Sequence, residues 1–299
     1  MKVKQKKSAL LPGLITVLMV VAAEAVGLRM TDPGGGRGDT MQQGLETITA
    51  ENEGLTAQVE ALRTETAEQK ALPEAIQKQK DEGFRLLGEL ERQIRAGESD
   101  KRIAYLTFDD GPYDNTTDAI LDILKEKGVH ATFFLRHRPD HVAQIQREIR
   151  EGHTLANHSY SHKIKAVYQS ADSCIKEIRD QQKWLTETVG VTPEIYRFPG
   201  GSPTAGNKKQ AIAAALAADG LGYVDWNCYT GDGLPGVLTT EKAYQNAVSS
   251  VGEQKIVVML MHDYSAATLE ALPDIIDTLK AKGYMMMPLF RESVMIRSA

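Results

Sequence analysis

The chain has 299 residues, 42% of them hydrophobic and 25% charged, with a formal net charge of -5. That composition is globular, leaves room for one large domain, and offers no surplus of positive charge for binding nucleic acid. Cys174 and Cys228 are the only cysteines, too few for a disulfide framework.

Lys2, Lys4, Lys6 and Lys7 precede an apolar stretch from Ala9 to Ala23, the layout of an export signal. Ala23-Glu24-Ala25 offers a small-x-small cleavage site, whereas extension to Leu28 gives about 20 residues, enough to span a bilayer with the basic flank inside. Residues 1–30 are expected to be a signal peptide or, by preference, a retained signal anchor. The protein is then exported and held at the cell membrane facing outward, or secreted if cleaved after Ala25. Asp32-Pro33-Gly34-Gly35-Gly36-Arg37-Gly38 cannot hold a helix and marks residues 31–40 as a hinge.

Leu45, Ile48, Asn52, Leu55, Val59 and Leu62 then recur at alternating three- and four-residue steps, the seam of a coiled coil with Asn52 at an a-type position. Pro73 interrupts it, and Phe84, Leu87, Leu90 and Ile94 resume helical spacing up to Gly97. Residues 41–97 read as a helical coiled-coil stalk reaching roughly 80 Å. It is expected either to form a homodimer or to stand as a single solvated helix.

From Lys101 strands and helices alternate. Strands are expected at Ile103–Phe108, Ala131–Leu135, Thr154–Asn157, Glu194–Arg197, Leu221–Asp225, Ile256–Met261 and Tyr284–Met287. Helices are expected at Thr117–Lys127, Asp140–Arg150, around Ala171–Val189, in the alanine-rich run to Asp219, at Thr240–Val251 and at Thr268–Lys282. Such alternation argues a parallel sheet, closed as a barrel or open and doubly wound.

Asp109-Asp110, His158, His162, Arg197 and His262 fall at or just after predicted strands, where an α/β barrel carries its catalytic groups. His158 and His162 are four apart, so a helical turn would bring both imidazoles onto one face, with Asp110 as an oxygen ligand. Two histidines at this spacing are more often plain surface residues. The adjacent carboxylates of Asp109 and Asp110 shift the reading, because they repel in a low-dielectric site unless a cation neutralises them. Two imidazoles and a carboxylate with an open fourth position describe a catalytic metal site. Zinc is the default, with cobalt, nickel or iron also accepted by this donor set. Asp109 is then placed to take a proton from the attacking water, and His262 to protonate a leaving group if a carboxylate, Asp225 or Asp232, keeps it charged.

The motifs Thr107-Phe108-Asp109-Asp110-Gly111-Pro112, His158-Ser159-Tyr160-Ser161-His162, Arg197-Phe198-Pro199-Gly200 and Leu260-Met261-His262-Asp263, in this order, resemble the polysaccharide deacetylase family, carbohydrate esterase family four, over residues 100–297. The resemblance implies a distorted, TIM-barrel-like (β/α)7 barrel and metal-dependent hydrolysis of N-acetyl groups on the amino sugars of a polysaccharide. It implies that Arg197 positions Asp109, and it favours Asp232 over Asp225 as the partner of His262. Two positions depart from the family. Gly233 stands where Trp often follows the Asp, and Gly200 stands where many relatives carry an aromatic, although its N–H could still join an oxyanion hole.

Export and a stalk point to cell-wall glycan as the partner, with peptidoglycan N-acetylglucosamine first. N-acetylmuramic acid, chitin oligomers and secreted exopolysaccharide are the alternatives. Readings from other classes are an inactive glycan-binding protein on a stalk and a metal-dependent phosphoesterase. Tyr113 is a candidate for the sugar site; Asp263 is expected to point elsewhere.

Overall fold

The structure, a computed structural model, describes residues 82–293 together with Ile296, Arg297 and the isolated Gly54. The signal or anchor segment, the hinge and the coiled-coil seam through Leu62 lie outside the described residues. Among the described residues no helix is long and apolar enough to cross a membrane.

Asp81–Ala299 form one compact unit. Its strands are β1 (Arg102–Asp109), β2 (Thr132–Leu135), β3 (Thr154–Asn157), β4 (Ile195–Tyr196), β5 (Gly222–Tyr223), β6 (Cys228–Tyr229), β7 (Ile256–His262) and β8 (Tyr284–Met286). Its helices are α1 (82–96), α2 (Thr117–Lys127), α3 (Val142–Arg150), α4 (Ile164–Val167), α5 (Ala171–Val189), α6 (Lys209–Ala218), α7 (Thr240–Val251) and α8 (Ala266–Ala281). Side-chain oxygens of Ser170, Thr239 and Ser265 cap the N-termini of α5, α7 and α8 by accepting backbone N–H groups of the first turn. α2 stops at Gly128, whose φ of 62° suits a residue without Cβ.

The strands form one parallel, curled sheet in the order β5-β4-β3-β2-β1-β7-β6, with β8 beside the first residues of β1. Alternation along each strand sorts side chains between two cores. Ile103 and Tyr105 of β1 and Ile256 and Val258 of β7 join Phe134, Ala156, Ile195 and Val224 in an inner core, enclosed by the sheet. Ala104, Leu106 and Phe108, with Val257, Met259 and Met261, face the opposite way and pack with α2, α7 and α8. The same parity carries Thr107 and Asp109 to the inner side above Tyr105.

Two features differ from expectation. The expected fifth strand, Leu221–Asp225, is shorter, and a further strand, β6, follows it: β5 pairs with β4, whereas β6 pairs with β7. The sheet's two ends are therefore joined through residues 224–227 rather than by a ladder. Asn227 explains the switch, because its side-chain oxygen accepts the Val258 N–H at 2.7 Å and its amide nitrogen donates to Ile256 O at 2.9 Å. In addition, the helical segment 82–96, expected as the end of the stalk, packs on the domain. Leu87 and Ile94 are buried with Leu289 and Phe290, the rings of Phe84 and Phe290 stack at 4.9 Å, and buried Glu91 accepts a hydrogen bond from Tyr105. The apolar stripe of α1 thus serves the core of this unit.

Candidate active site

The carboxyl ends of the strands carry the predicted residues. Asp109 and His262 are register partners across β1 and β7, so both project to the inner side on one rung. Asp110 follows with φ 78°, a left-handed conformation rare outside glycine. Its carboxyl thereby joins the same cluster instead of alternating outward. Its N–H donates to Phe134 O at 3.1 Å, and its carbonyl accepts from Arg136 Nε at 3.3 Å.

His158 and His162 do meet, with ring centroids 4.8 Å apart, but on a loop after β3 and not on a helical turn. Ser159 and His162 both adopt positive φ, at 69° and 56°. The loop is held from within: Asn157 Oδ1 accepts the Ser159 N–H, and Ser159 Oγ accepts the His162 N–H. His158 Nδ1 lies 2.8 Å from Arg197 O, which fixes the proton on that nitrogen and leaves Nε2 as a donor of electrons.

Ligand atoms of Asp110, His158 and His162 all lie within 4.8 Å of one another. Asp110 Oδ1 stands 3.4 Å from His162 Nε2 and 4.0 Å from His158 Nε2, and it is a buried oxygen without a hydrogen-bond partner. Ligands on a tetrahedral cation with bonds of about 2.0–2.2 Å stand about 3.3–3.6 Å apart, so the Asp110–His162 pair already has ligand spacing, and the set would close on a divalent metal by side-chain shifts of up to about 1 Å. The electrostatics agree. Burial opposes charge on Asp110, but His158, His162 and Arg136 outweigh it and hold the carboxyl below its ordinary range. Burial, with His158 alongside, pushes His162 down to about 4, so its imidazole is neutral, as a ligand must be.

Asp109 is 2% exposed and splits its oxygens between two neighbours. Oδ1 accepts from Arg197 Nη1 at 2.8 Å, and Oδ2 lies 3.5 Å from His158 Nε2. Arg197 is fully buried, not on the surface. Its grip on Asp109 is through one nitrogen and not bidentate: the other contacts go to Thr107 Oγ1, Val224 O and Asp225 O, with the guanidinium over the Phe134 ring.

His262 Nδ1 lies 2.8 Å from Asp232 Oδ1, while Asp232 Oδ2 accepts the His262 N–H and the Thr268 hydroxyl. Of the two carboxylates weighed for this role, Asp232 is therefore the one beside His262. Asp225 instead binds Ser202 through both oxygens. Burial opposes the charged imidazole, but the Asp232 hydrogen bond and charge prevail and raise His262 above its ordinary value.

Asp109, Asp110, His158, His162, Asp232 and His262 line a cleft of about 530 Å³ together with Gly200, Trp226, Tyr229, Gly233, Leu234, Leu260 and Tyr264. Tyr113 does not line it; that ring packs under Arg138 and meets the edge of Tyr264. Cys174 and Cys228 are free and buried, and burial pushes both thiols up to about 11. Thr107, Arg136, Asn157 and Thr268 support the site without having been singled out in the sequence. Thr107 stands in the first motif without a role of its own there, and only neighbours in space reveal what the four do.

The family model for polysaccharide deacetylase matches residues 96–221. The chain is 35% identical over 205 residues to the putative polysaccharide deacetylase YheN of Bacillus subtilis, covering 64% of this chain and 68% of that protein. It is 30% identical over 203 residues to the peptidoglycan-N-acetylglucosamine deacetylase of Bacillus cereus, covering 65% and 71%. Among solved structures, the catalytic domain of peptidoglycan N-acetylglucosamine deacetylase from Eubacterium rectale superposes with a TM-score of 0.63 at 35% identity, over 66% of this chain and 93% of that one. A CE4 esterase from Streptococcus mutans gives 0.61 at 32% identity, over 68% and 91%.

Proposed function

The chain belongs to the polysaccharide deacetylase family, hydrolases acting on amide bonds, and from that membership we propose that it removes the acetyl group from N-acetylglucosamine in peptidoglycan, using a divalent cation held by Asp110, His158 and His162. The observation that carries this reading is the meeting of a metal-fitting donor set with a carboxylate, Asp109, and a carboxylate-backed histidine, His262, in one cleft.

When bound, the cation supplies Lewis-acid polarisation of the acetyl carbonyl and lowers the pKa of water. Asp109 Oδ2, the oxygen not tied to Arg197, accepts the proton of the water that attacks the acetyl carbon. Arg197 pairs with that carboxylate and keeps it aimed. The Gly200 N–H, in the cleft wall, is assigned as a backbone donor to the developing oxyanion. His262, gripped through Nδ1 by Asp232, passes a proton to the sugar nitrogen as the C–N bond breaks. One C–O bond forms, and acetate and a free amino sugar leave.

Peptidoglycan ranks first because relatives from Bacillus cereus and Listeria monocytogenes bear that substrate in their names. The N-terminal signal or anchor and coiled-coil stalk fit the same setting, with zinc as the first metal to try. The test is acetate release by the full chain from peptidoglycan and from chitin oligomers, before and after chelation and zinc restoration. Chelator-sensitive release from peptidoglycan supports the reading; release from chitin oligomers alone moves the substrate, and release that survives full metal removal rejects the metal.

A further inference from the structure

Asp263 follows His262 yet plays no part in the chemistry above. By strand parity it faces away from the cleft, into the layer between the sheet and the helices, and it is fully buried there. Its Oδ2 accepts the Thr117 hydroxyl at 2.6 Å, and its Oδ1 has no hydrogen-bond partner. Glu148, also fully buried, leaves both carboxyl oxygens without one. An apolar side chain of similar size would cost the fold less than such a carboxyl. The contacts of Asp263 indicate what the carboxyl provides instead.

A Cβ built on Gly111 would lie 2.0 Å from Asp263 Oδ2, so the carboxyl rests directly on the Gly111 backbone. Gly111 has no positive φ, and its lack of a side chain is therefore a matter of space and not of backbone freedom. Thr117 Oγ1, which donates to Asp263, also accepts the Tyr113 N–H at 2.7 Å. The loop from Asp110 to α2 is thus pinned at Gly111 and at Thr117 by one side chain that directly follows β7. Asp110 at the start of that loop holds a left-handed φ of 78°, a conformation that persists only where its surroundings impose it.

We propose that Asp263 is a positioning residue: it locks the Asp110–Gly111–Pro112 turn to the end of β7 and so sets the spacing between Asp110 and His262. The metal donor and the histidine that protonates the amine belong to different strands. Asp263 is adjacent to His262 in sequence and touches the residue next to Asp110 in space, so it couples the two.

The inference rests on the metal and acid roles assigned above. Its test measures divalent zinc affinity by competition with a chromophoric chelator, together with kcat and KM at saturating zinc, on the full chain. Asp263→Ala is expected to weaken zinc at least several-fold and to lower kcat at saturating zinc about tenfold, with KM little changed. Asp263→Asn, which keeps the volume and an acceptor for Thr117, is expected to restore most of both. Because Asp263→Ala can fail to fold, Thr117→Val supplies the second arm, removing the donor at constant shape; it is expected to move zinc affinity and kcat in the same direction. Wild-type zinc affinity and kcat in folded Asp263→Ala or in Thr117→Val, with only the melting temperature lowered, overturns the proposal. Failure of the wild-type chain to bind any divalent metal instead overturns the reading beneath it.

Discussion

Asp109 and His262 share one rung of the β1–β7 ladder, and each is oriented by a group from elsewhere in the sheet: Arg197 after β4 grips the first, and Asp232 after β6 grips the second. Neither belongs to the set of ligand atoms that fits a metal. Asp109→Asn and His262→Ala are therefore expected to bind zinc as the wild type does and to lose about a hundred-fold or more in kcat. His158→Ala should lose metal and turnover together. Zinc titration beside acetate release separates the cases, and metal loss in His262→Ala would turn that residue into a ligand.

Arg197 tests a different quantity. It is wholly buried and forms an ion pair with Asp109, itself 2% exposed. Arg197→Met leaves that carboxylate without its cation in the interior, which costs about 3–5 kcal/mol when a buried pair loses one partner. Denaturant unfolding should register the loss alongside a fall in kcat. A change below about 1 kcal/mol would mean that Asp109 is solvated or neutral in the folded state, against the role given to Arg197.

The alternation of strands and helices was legible because the signals are local. The Ile256–Met261 run is apolar throughout, and Thr239 lies where it caps Thr240–Val251. The split after Leu221 was not legible, since it depends on Asn227 bonding across to β7. The four-residue spacing of His158 and His162 suggested a helix; the loop that forms instead is dictated by Asn157, Ser159 and the Arg197 carbonyl, all contacts made in space. The apolar spacing of 84–94 shows a helical face but not its partner, because periodicity shows that a stripe is buried without showing against what. The candidate site residues sit in short local motifs, and the structure brings Asp109, Asp110, His158, His162, Arg197, Asp232 and His262 together.

Asp232 should govern the alkaline limb of the pH profile. A proton donor must start protonated, so kcat falls as pH rises through the His262 value. Burial lowers that value, but the Asp232 hydrogen bond and charge raise it further, and the balance lies above the ordinary imidazole range. Asp232→Asn removes the charge while keeping an acceptor. The limb is expected to move to lower pH, and kcat at neutral pH to fall with it. A limb that stays in place belongs to another group.

Gly233, where relatives often carry Trp, is constrained in this chain by His262. A Cβ there would lie 2.8 Å from His262 Cε1, and the imidazole is held by hydrogen bonds of both its ring and its backbone to Asp232. It cannot yield without loosening that pair. Gly233→Ala is expected to lower kcat about tenfold or more with zinc affinity unchanged, and Gly233→Trp to be worse. Gain of activity on restoring Trp would show that the loop relaxes away from His262.

Asp263 makes stability depend on pH with a defined sign. Burial is the main cause that pushes its carboxyl up to about 7, opposed by the Thr117 hydrogen bond and reinforced by Asp110. Unfolded, the group titrates near 3.9. Below that value both states are protonated and nothing is lost. Between about pH 4 and 7 the folded state holds the extra proton, so unfolding free energy falls as pH rises, by on the order of 4 kcal/mol across the window if Asp263 acts alone. Asp263→Asn stays neutral in both states and should flatten this slope, making the metal-free variant more stable than wild type at pH 8 and no more stable at pH 4. Denaturant curves on chelator-treated protein at the two pH values decide it: equal slopes in wild type and variant would place the charged carboxylate comfortably in the fold and remove the cost assigned to it.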